Sequence, residues 1–422
     1  MAIALLVVGD EVVDGRVGDR MVGLVSEALG VQGLRLDSVA FCRDDVDAIT
    51  AFVRTLAARC EDGVGPALLI STGGLGTTHD DLTRAALCRW SGRESWRSDA
   101  WYARVLARCA AMNFTPQPGM EAYALLPEGA LLIENPRGMA AGFALTHDGT
   151  TVLALPGVPD EAGAMLGPAL TRLEIRPGAW VRRVLSVFGA GESVVQRRLA
   201  DLSLEPALRL GICAGDGVVT LSLGGESVAA LDAAAEAIAQ CLGEAYEVVQ
   251  APSFADALHE ALVARGERLA VAESCTGGLL AHLLSGRGGA SAFFTEGWVT
   301  YSNAAKVARL GVSEATLARW GAVSAECVAE MAAGARRCAG VDWAVATSGV
   351  AGPGGGSEAK PVGTLFVGVC GPGGCWQRHV YRPGLPREAF QRYAAQGAMA
   401  FLAERMGLGW VQGDGAMGRE RP

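Results

Sequence analysis

The sequence predicts an α/β protein: a mostly parallel sheet with helices on both faces, then a small α+β module, then a second α/β domain. Three observations predict it. Over residues 1–175 short apolar runs alternate with stretches of helical period, the pattern of a parallel sheet with crossover helices. Over 178–250 the alternation gives way to short strand-like runs and two helices, set off by Arg176-Pro-Gly178 and Ala251-Pro-Ser253, which read as linkers. Over 253–407 strands and helices alternate again, and the tail 408–422 reads as disordered.

The elements follow in order. The N-terminal run is too short for a membrane span and lacks a basic flank, so it reads as strand 2–8 of a cytoplasmic protein. Then come a helix near 18–30, a strand at 34–41, a helix at 44–60, a strand at 67–71 and a strand ending near Leu155. The small module shows strands at 180–188, 207–213 and 218–223, with helices at 191–202 and 227–242. The last domain opens with helix 254–264, strand 269–272 and a helix from Leu279. Strand 293–301, a short helix 302–310 capped by Ser302, and helices near 313–319 and 324–338 come next. Strands 343–348, 362–370 and 376–381 and a helix near 386–405 close it.

A length of 422 residues fits two or three domains, and 50% apolar residues can bury a sizeable core. A formal charge of −9 with no Lys/Arg run argues against a nucleic-acid or anionic-membrane partner. The 11 cysteines are scattered without a CxxC pair. They read as small buried hydrophobes in a reducing compartment rather than as a disulfide frame or zinc site.

In the first domain, polar clusters fall at strand ends, where open α/β sheets bind ligands. Gly9-Asp10-Glu11 is one cluster. The second is Ser71-Thr-Gly-Gly-Leu-Gly-Thr-Thr-His-Asp80-Asp81. Gly73, Gly74 and Gly76 let backbone approach a ligand, Thr77 and Thr78 add hydroxyls, and the loop opens a helix at Asp80-Asp81: a phosphate-binding arrangement. Asp80 and Asp81 suit a divalent metal bridging to phosphate, and equally suit the cap and first turn of a helix. Glu161, beyond Leu155-Pro-Gly-Val-Pro159, reaches the same pocket or favours its own helix start.

In the last domain, Glu273-Ser-Cys-Thr-Gly-Gly278 joins a strand to a helix through small residues. Such a turn presents backbone N–H groups and a hydroxyl at a helix N-terminus, suited to an oxyanion or phosphate, and a nucleophile there has part of its oxyanion hole ready. Ser or Thr before a helix also serves as a plain cap. A serine nucleophile needs a base. His282 lies about 12 Å along the axis if the segment between is helical, too far for a hydrogen bond. Lys306, one of very few lysines, sits in the first turn of its helix, where the dipole disfavours a positive charge; a surface lysine is the plainer reading. Tyr301 precedes it as relay or anchor, or simply as a strand residue. Cys275 offers a rival nucleophile, with Glu273 and Lys306 as its partners.

Four motifs in order carry a resemblance: Glu273-Ser-Cys-Thr-Gly-Gly-Leu, Val299-Thr-Tyr-Ser-Asn-Ala-Ala-Lys306, Gly321-Ala-Val-Ser324, and Gly349-Val-Ala-Gly-Pro-Gly-Gly-Gly356 with Lys360-Pro-Val-Gly-Thr364. The last domain resembles the nicotinamide-nucleotide amidase domain of the CinA (competence/damage-inducible) family. Gly73–Asp81 and Leu155–Glu161 resemble that family's N-terminal domain, which has the molybdopterin-binding fold. The resemblance implies hydrolysis of the carboxamide of nicotinamide mononucleotide, a small nucleotide substrate, to nicotinate mononucleotide and ammonia. It implies Ser274 as nucleophile, Lys306 as base and Tyr301 as their partner. Glu273, Thr276, Gly277, Gly278, Asn303, Gly349, Ala351 and Gly352 would surround the substrate, with N–H groups at 276–278 on the oxyanion. No cofactor is implied for this chemistry, and a homodimer is.

For the first domain the resemblance implies metal-dependent ADP-ribose pyrophosphatase activity; a nucleotide-sensing pocket is the rival reading, and Asp80, Asp81, Glu11 and Glu161 are the metal candidates. Here the sequence departs from the family. Gly9-Asp10-Glu11 replaces Gly-Thr-Glu, Thr77 stands where Pro is usual, and Gly138-Met-Ala-Ala-Gly142 replaces Gly-Thr-Ala-Pro-Gly.

Overall fold

The structure, a computed structural model, describes residues 2–58 and 68–408. It divides into two compact units, Met1–Trp180 and Val181–Pro422.

The first unit runs β1 (Ile3–Val8), α1 (Asp10–Val13), α2 (Met21–Val31), β2 (Ser38–Cys42), α3 (Val46–Ala58), β3 (Leu68–Thr72) and α4 (Thr83–Ser91). It continues with β4 (Ser95–Arg97), α5 (Asp99–Ala111), β5 (Leu125–Pro127), β6 (Leu131–Ile133), β7 (Gly142–His147), β8 (Thr150–Leu155) and α6 (Pro159–Arg172). Six strands form one sheet in the order β2-β1-β3-β8-β7-β6. The first four are parallel; β7 runs antiparallel to β8, and β6 antiparallel to β7.

The apolar runs of β1, β3 and β8 are continuous because both faces of the sheet are covered. Leu6, Leu69 and Val152 pack under α3, α4 and α5 with Val53, Leu87 and Val105. Leu5, Ile70 and Leu153 pack on α2 and α6 with Val25, Leu29 and Met165. A one-residue slip would exchange the two faces. Val7 lies opposite Thr72, and Thr72 opposite Leu155, so the carboxyl ends of the three central strands align.

Two expectations shift. The strand expected at 34–41 begins at Ser38, because Asp37 pairs with Ile3 in both directions, through its carboxylate and its own N–H. The helix expected to open at Asp80 begins at Thr83, because Asp81 folds back on the loop before it.

The second unit begins with β9 (Val181–Phe188), α7 (Glu192–Leu199), β10 (Arg209–Gly215), β11 (Val218–Gly225), α8 (Val228–Gly243) and β12 (Glu247–Val249). These strands form an antiparallel sheet ordered β10-β11-β9-β12. The short edge strand β12 was not anticipated. Next come α9 (Phe254–Arg265), β13 (Leu269–Glu273), α10 (Leu279–Ser285), β14 (Phe294–Val299) and α11 (Asn303–Ala305), which continues as a π-helical turn Lys306–Leu310. Then follow α12 (Glu314–Trp320), α13 (Ala325–Ala339), β15 (Trp343–Gly349), β16 (Thr364–Gly371), β17 (Gly374–Tyr381) and α14 (Arg387–Arg405).

The second sheet of this unit is ordered β14-β13-β15-β16-β17, with β14, β13 and β15 parallel. One face carries α13, packed through Val328 and Met331 on Ala272, Ala344 and Ala346. The other carries α9, α10 and α14, packed through Leu258, Leu280 and Phe390 on Val271, Val345 and Val367. The modules expected at 178–250 and 253–407 pack together in this one unit. Phe188 meets Tyr393 with ring centroids 5.1 Å apart, and Arg378 bonds Glu247 at 2.8 Å.

One pair of cysteines departs from the expected free thiols. Cys370 and Cys375 lie directly opposite in the β16–β17 ladder and form a disulfide, with Cα atoms 4.1 Å apart. Register makes this pair, and no cysteine spacing announced it. The tail from residue 409 lies outside the described residues, and no described helix is long and apolar enough to cross a membrane.

Candidate active site

The best-assembled chemistry lies at the carboxyl end of β13. Ser274 follows the strand, and its N–H donates to the Thr347 carbonyl of β15 at 3.0 Å. Thr276 and Thr347 share a hydroxyl–hydroxyl bond of 2.8 Å that ties the turn to the same strand. From the other side, the Gln391 amide on α14 donates to the Cys275 carbonyl at 3.0 Å. Gly277 and Gly278 have φ of 64° and 105°, a region other residues rarely adopt, so the turn between strand and helix depends on them.

Lys306 reaches this turn from the end of α11. Its Nζ lies 3.1 Å from Ser274 Oγ, donates to the Thr300 carbonyl at 2.8 Å, and reaches the Tyr301 carbonyl at 3.4 Å. It is 1% exposed and has no ion-pair partner among the described residues. Burial lowers its pKa from the ordinary lysine value, because a charged amine there forgoes hydration. The Ser302 cap and the Ser302 carbonyl hold the first turn that aims it.

Cys275 lies in the core. It is 4% exposed, and burial pushes its thiol up to about 12. A thiol so held gives little thiolate near neutral pH.

The other expected residues are placed unevenly. Tyr301 enters through its carbonyl. Its phenol is exposed and accepts from Arg387 at 2.8 Å. Asn303 is exposed at the start of α11. Ala351 is buried in the core, and a side chain at Gly349 would strike the Thr364 carbonyl. Gly352, with φ of 75°, presents its carbonyl to Arg387 at 2.9 Å. Arg387 thus joins the glycine loop to Tyr301. It escaped the sequence reading because nothing near it in the chain marks a site.

Glu273 corrects an expectation. Its side chain is fully buried, and its carboxylate accepts from the N–H groups of Gly278, Leu280 and Ala281 at 2.9, 3.1 and 2.8 Å. The N-terminus of α10 is therefore filled by the chain's own acid. Gly277 N–H is also engaged, on the Ser274 carbonyl. Of the three oxyanion donors expected at 276–278, Thr276 N–H is the one that donates no hydrogen bond among the described residues.

The first unit shows the same inward turn. Asp81 accepts from Gly76 N–H at 2.6 Å, Thr78 N–H at 2.7 Å and the Thr78 hydroxyl at 2.6 Å. Arg84, itself buried, donates to the Leu75 and Gly76 carbonyls. The glycines answer to packing: a Cβ at Gly73 would strike the Val8 carbonyl, and one at Gly74 the Thr83 hydroxyl. Thr77 is exposed. Glu161 accepts from Asn135 at 2.7 Å.

Glu11 and Asp80 lie in the field of Asp44, an acid the sequence reading missed. Burial raises its pKa, and Asp10, Glu11 and Asp80 add to the rise. Among the described residues no three His, Cys, Asp or Glu side chains stand close enough to hold a metal. Asp80, Asp81, Glu11 and Glu161 therefore do not fit the metal centre expected of them. Asp81→Ala should lower the unfolding free energy of the first unit by about 2 kcal/mol, the scale of charge-assisted bonds lost from a loop. Asp80→Ala, which removes an exposed carboxylate bonded to Thr78, should shift the denaturation midpoint less. Equal midpoint shifts in the two variants would refute this division of roles.

Fold and site together define a two-unit α/β protein with a half-buried serine beside a buried lysine at a strand end of its second unit. Residues 252–406 match the CinA C-terminal domain, and residues 4–174 match the probable molybdopterin binding domain. A CinA-like protein of Desulfosudis oleivorans is 36% identical over 392 residues, covering 90% of this chain and 94% of that one. One of Geobacter sulfurreducens is 36% identical over 429 residues, covering 96% and 99%. A solved structure, the competence damage-inducible protein A from Klebsiella pneumoniae, is 40% identical over 36% of this chain and 95% of that one, with a TM-score of 0.35. The chain belongs to the CinA family.

Proposed function

We propose that the second unit is a nicotinamide-nucleotide amidase, converting nicotinamide mononucleotide and water to nicotinate mononucleotide and ammonia. The observation that carries this reading is the Lys306 amine, buried and without a carboxylate partner, 3.1 Å from the Ser274 hydroxyl. The substrate comes from the likeness to the amidase domain. The class of chemistry comes from the pair.

In this mechanism neutral Lys306 takes the Ser274 proton as Oγ attacks the carboxamide carbon. In this reading Thr276 N–H, which donates no hydrogen bond among the described residues, stabilises the developing oxyanion. The lysine then hands its proton to the departing nitrogen, and ammonia leaves as the C–N bond breaks. Water attacks the acyl-serine, Lys306 again accepts the proton, and the carboxylate product departs as Ser274 regains its hydrogen. The Thr300 and Tyr301 carbonyls hold the amine in place in each half-reaction.

The test is ammonia release from nicotinamide mononucleotide by the purified full chain. Stoichiometric ammonia and nicotinate mononucleotide are expected. Nucleotide left intact across neutral to alkaline pH would remove the reading.

A further inference from the structure

The residue beside the nucleophile has a task that its acidity alone does not suggest. Glu273 precedes Ser274, and its Oε2 accepts from Gly278 N–H at 2.9 Å on the far side of the turn. The segment Ser274–Gly277 is thus closed into a ring by the side chain at its own base. The same carboxylate fastens Leu280 and Ala281, the first turn of α10. The Glu273 carbonyl accepts from Thr300 N–H at 2.8 Å, and Thr300 in turn holds Lys306. A second tie comes from outside the ring, where Gln391 grips the Cys275 carbonyl.

We propose that Glu273 and Gln391 are positioning residues for the nucleophile: they fix the Ser274 turn against the Lys306 amine and bind no substrate. The proposal rests on Ser274 as nucleophile. Glu273 is fully buried, with both carboxylate oxygens facing backbone donors, so little is left to offer a nucleotide. An amide in its place accepts through one atom only and sets an N–H against an N–H of α10. The turn then loses one tether, and Ser274 samples orientations from which proton transfer fails.

The experiment measures the second-order rate of Ser274 labelling by a fluorophosphonate on the full chain, together with kcat and KM for nicotinamide mononucleotide. Glu273→Gln should slow labelling and lower kcat by at least about tenfold, the scale set by a lost hydrogen bond, with KM moving less than about threefold. Gln391→Leu, at a half-exposed site, should act in the same direction without challenging the fold. Labelling and turnover rates are both divided by the folded fraction of each variant, measured by circular dichroism, so a loss of stability alone does not count as slowed labelling. A rise in KM at unchanged labelling would make Glu273 a substrate ligand and overturn the proposal. So would wild-type labelling rates in both variants. A wild-type protein that reacts with no fluorophosphonate and releases no ammonia would instead sink the serine reading beneath it.

Discussion

Ser274→Ala is expected to lower kcat by at least about a hundredfold, the scale for loss of a nucleophile with its acid–base partner, in a protein that remains folded. Cys275→Ala should stay within about tenfold of wild type, the scale of a lost packing contact. On intrinsic reactivity the order would be reversed, since a thiolate is the better nucleophile. Geometry decides otherwise. The Ser274 hydroxyl is the one within bonding distance of Lys306, whereas Cys275 sits in the core with its thiol pushed up to about 12. A thiol-directed reagent should accordingly inhibit poorly. Steady-state rates of the two variants decide it: a dead Cys275→Ala beside an active Ser274→Ala would transfer the role to the cysteine.

Much of this site was legible in the chain, and the reasons are physical. An apolar run breaking into Ser-Cys-Thr-Gly-Gly marks a strand end that turns tightly, and Gly277 and Gly278 adopt positive φ as such a turn requires. A lysine in a first helical turn is electrostatically awkward, and the structure buries it against Ser274.

What failed was the direction of the acids. Glu273 and Asp81 both stand at turns rich in glycine before a helix, where unpaired N–H groups attract an anion. Sequence gives the attraction but not its occupant. A carboxylate already tethered to the chain forms these bonds without the entropy loss of binding a separate ligand, and in both units it has done so. Partners distant in sequence were equally hidden. Arg387, Gln391 and the Cys370–Cys375 pairing follow from helix placement and strand register.

Lys306→Met should separate catalysis from stability. The amine is 1% exposed, and its pKa is lowered chiefly by burial. In the unfolded chain it titrates near the ordinary lysine value of about 10.4. Between the folded and unfolded pKa values the unfolded chain holds more protons, so stability rises with pH across that window. Below the folded value both states are charged, and the penalty of a buried, unpaired ammonium is present in full. Methionine has similar length and no charge, so the variant escapes that penalty and leaves only the Thr300 and Tyr301 carbonyls less well satisfied. Its thermal midpoint at neutral pH should equal or exceed the wild-type value, and the difference should shrink as pH rises through the window. Activity should move oppositely, with kcat down at least about a hundredfold. The wild-type rate itself should climb with pH below the range of a free lysine, as the amine becomes a base. Midpoints measured at pH 7 and pH 10 beside the two rate profiles decide it: a Lys306→Met protein that still turns over, or that is destabilised equally at both pH values, would make Lys306 a structural cation rather than the base.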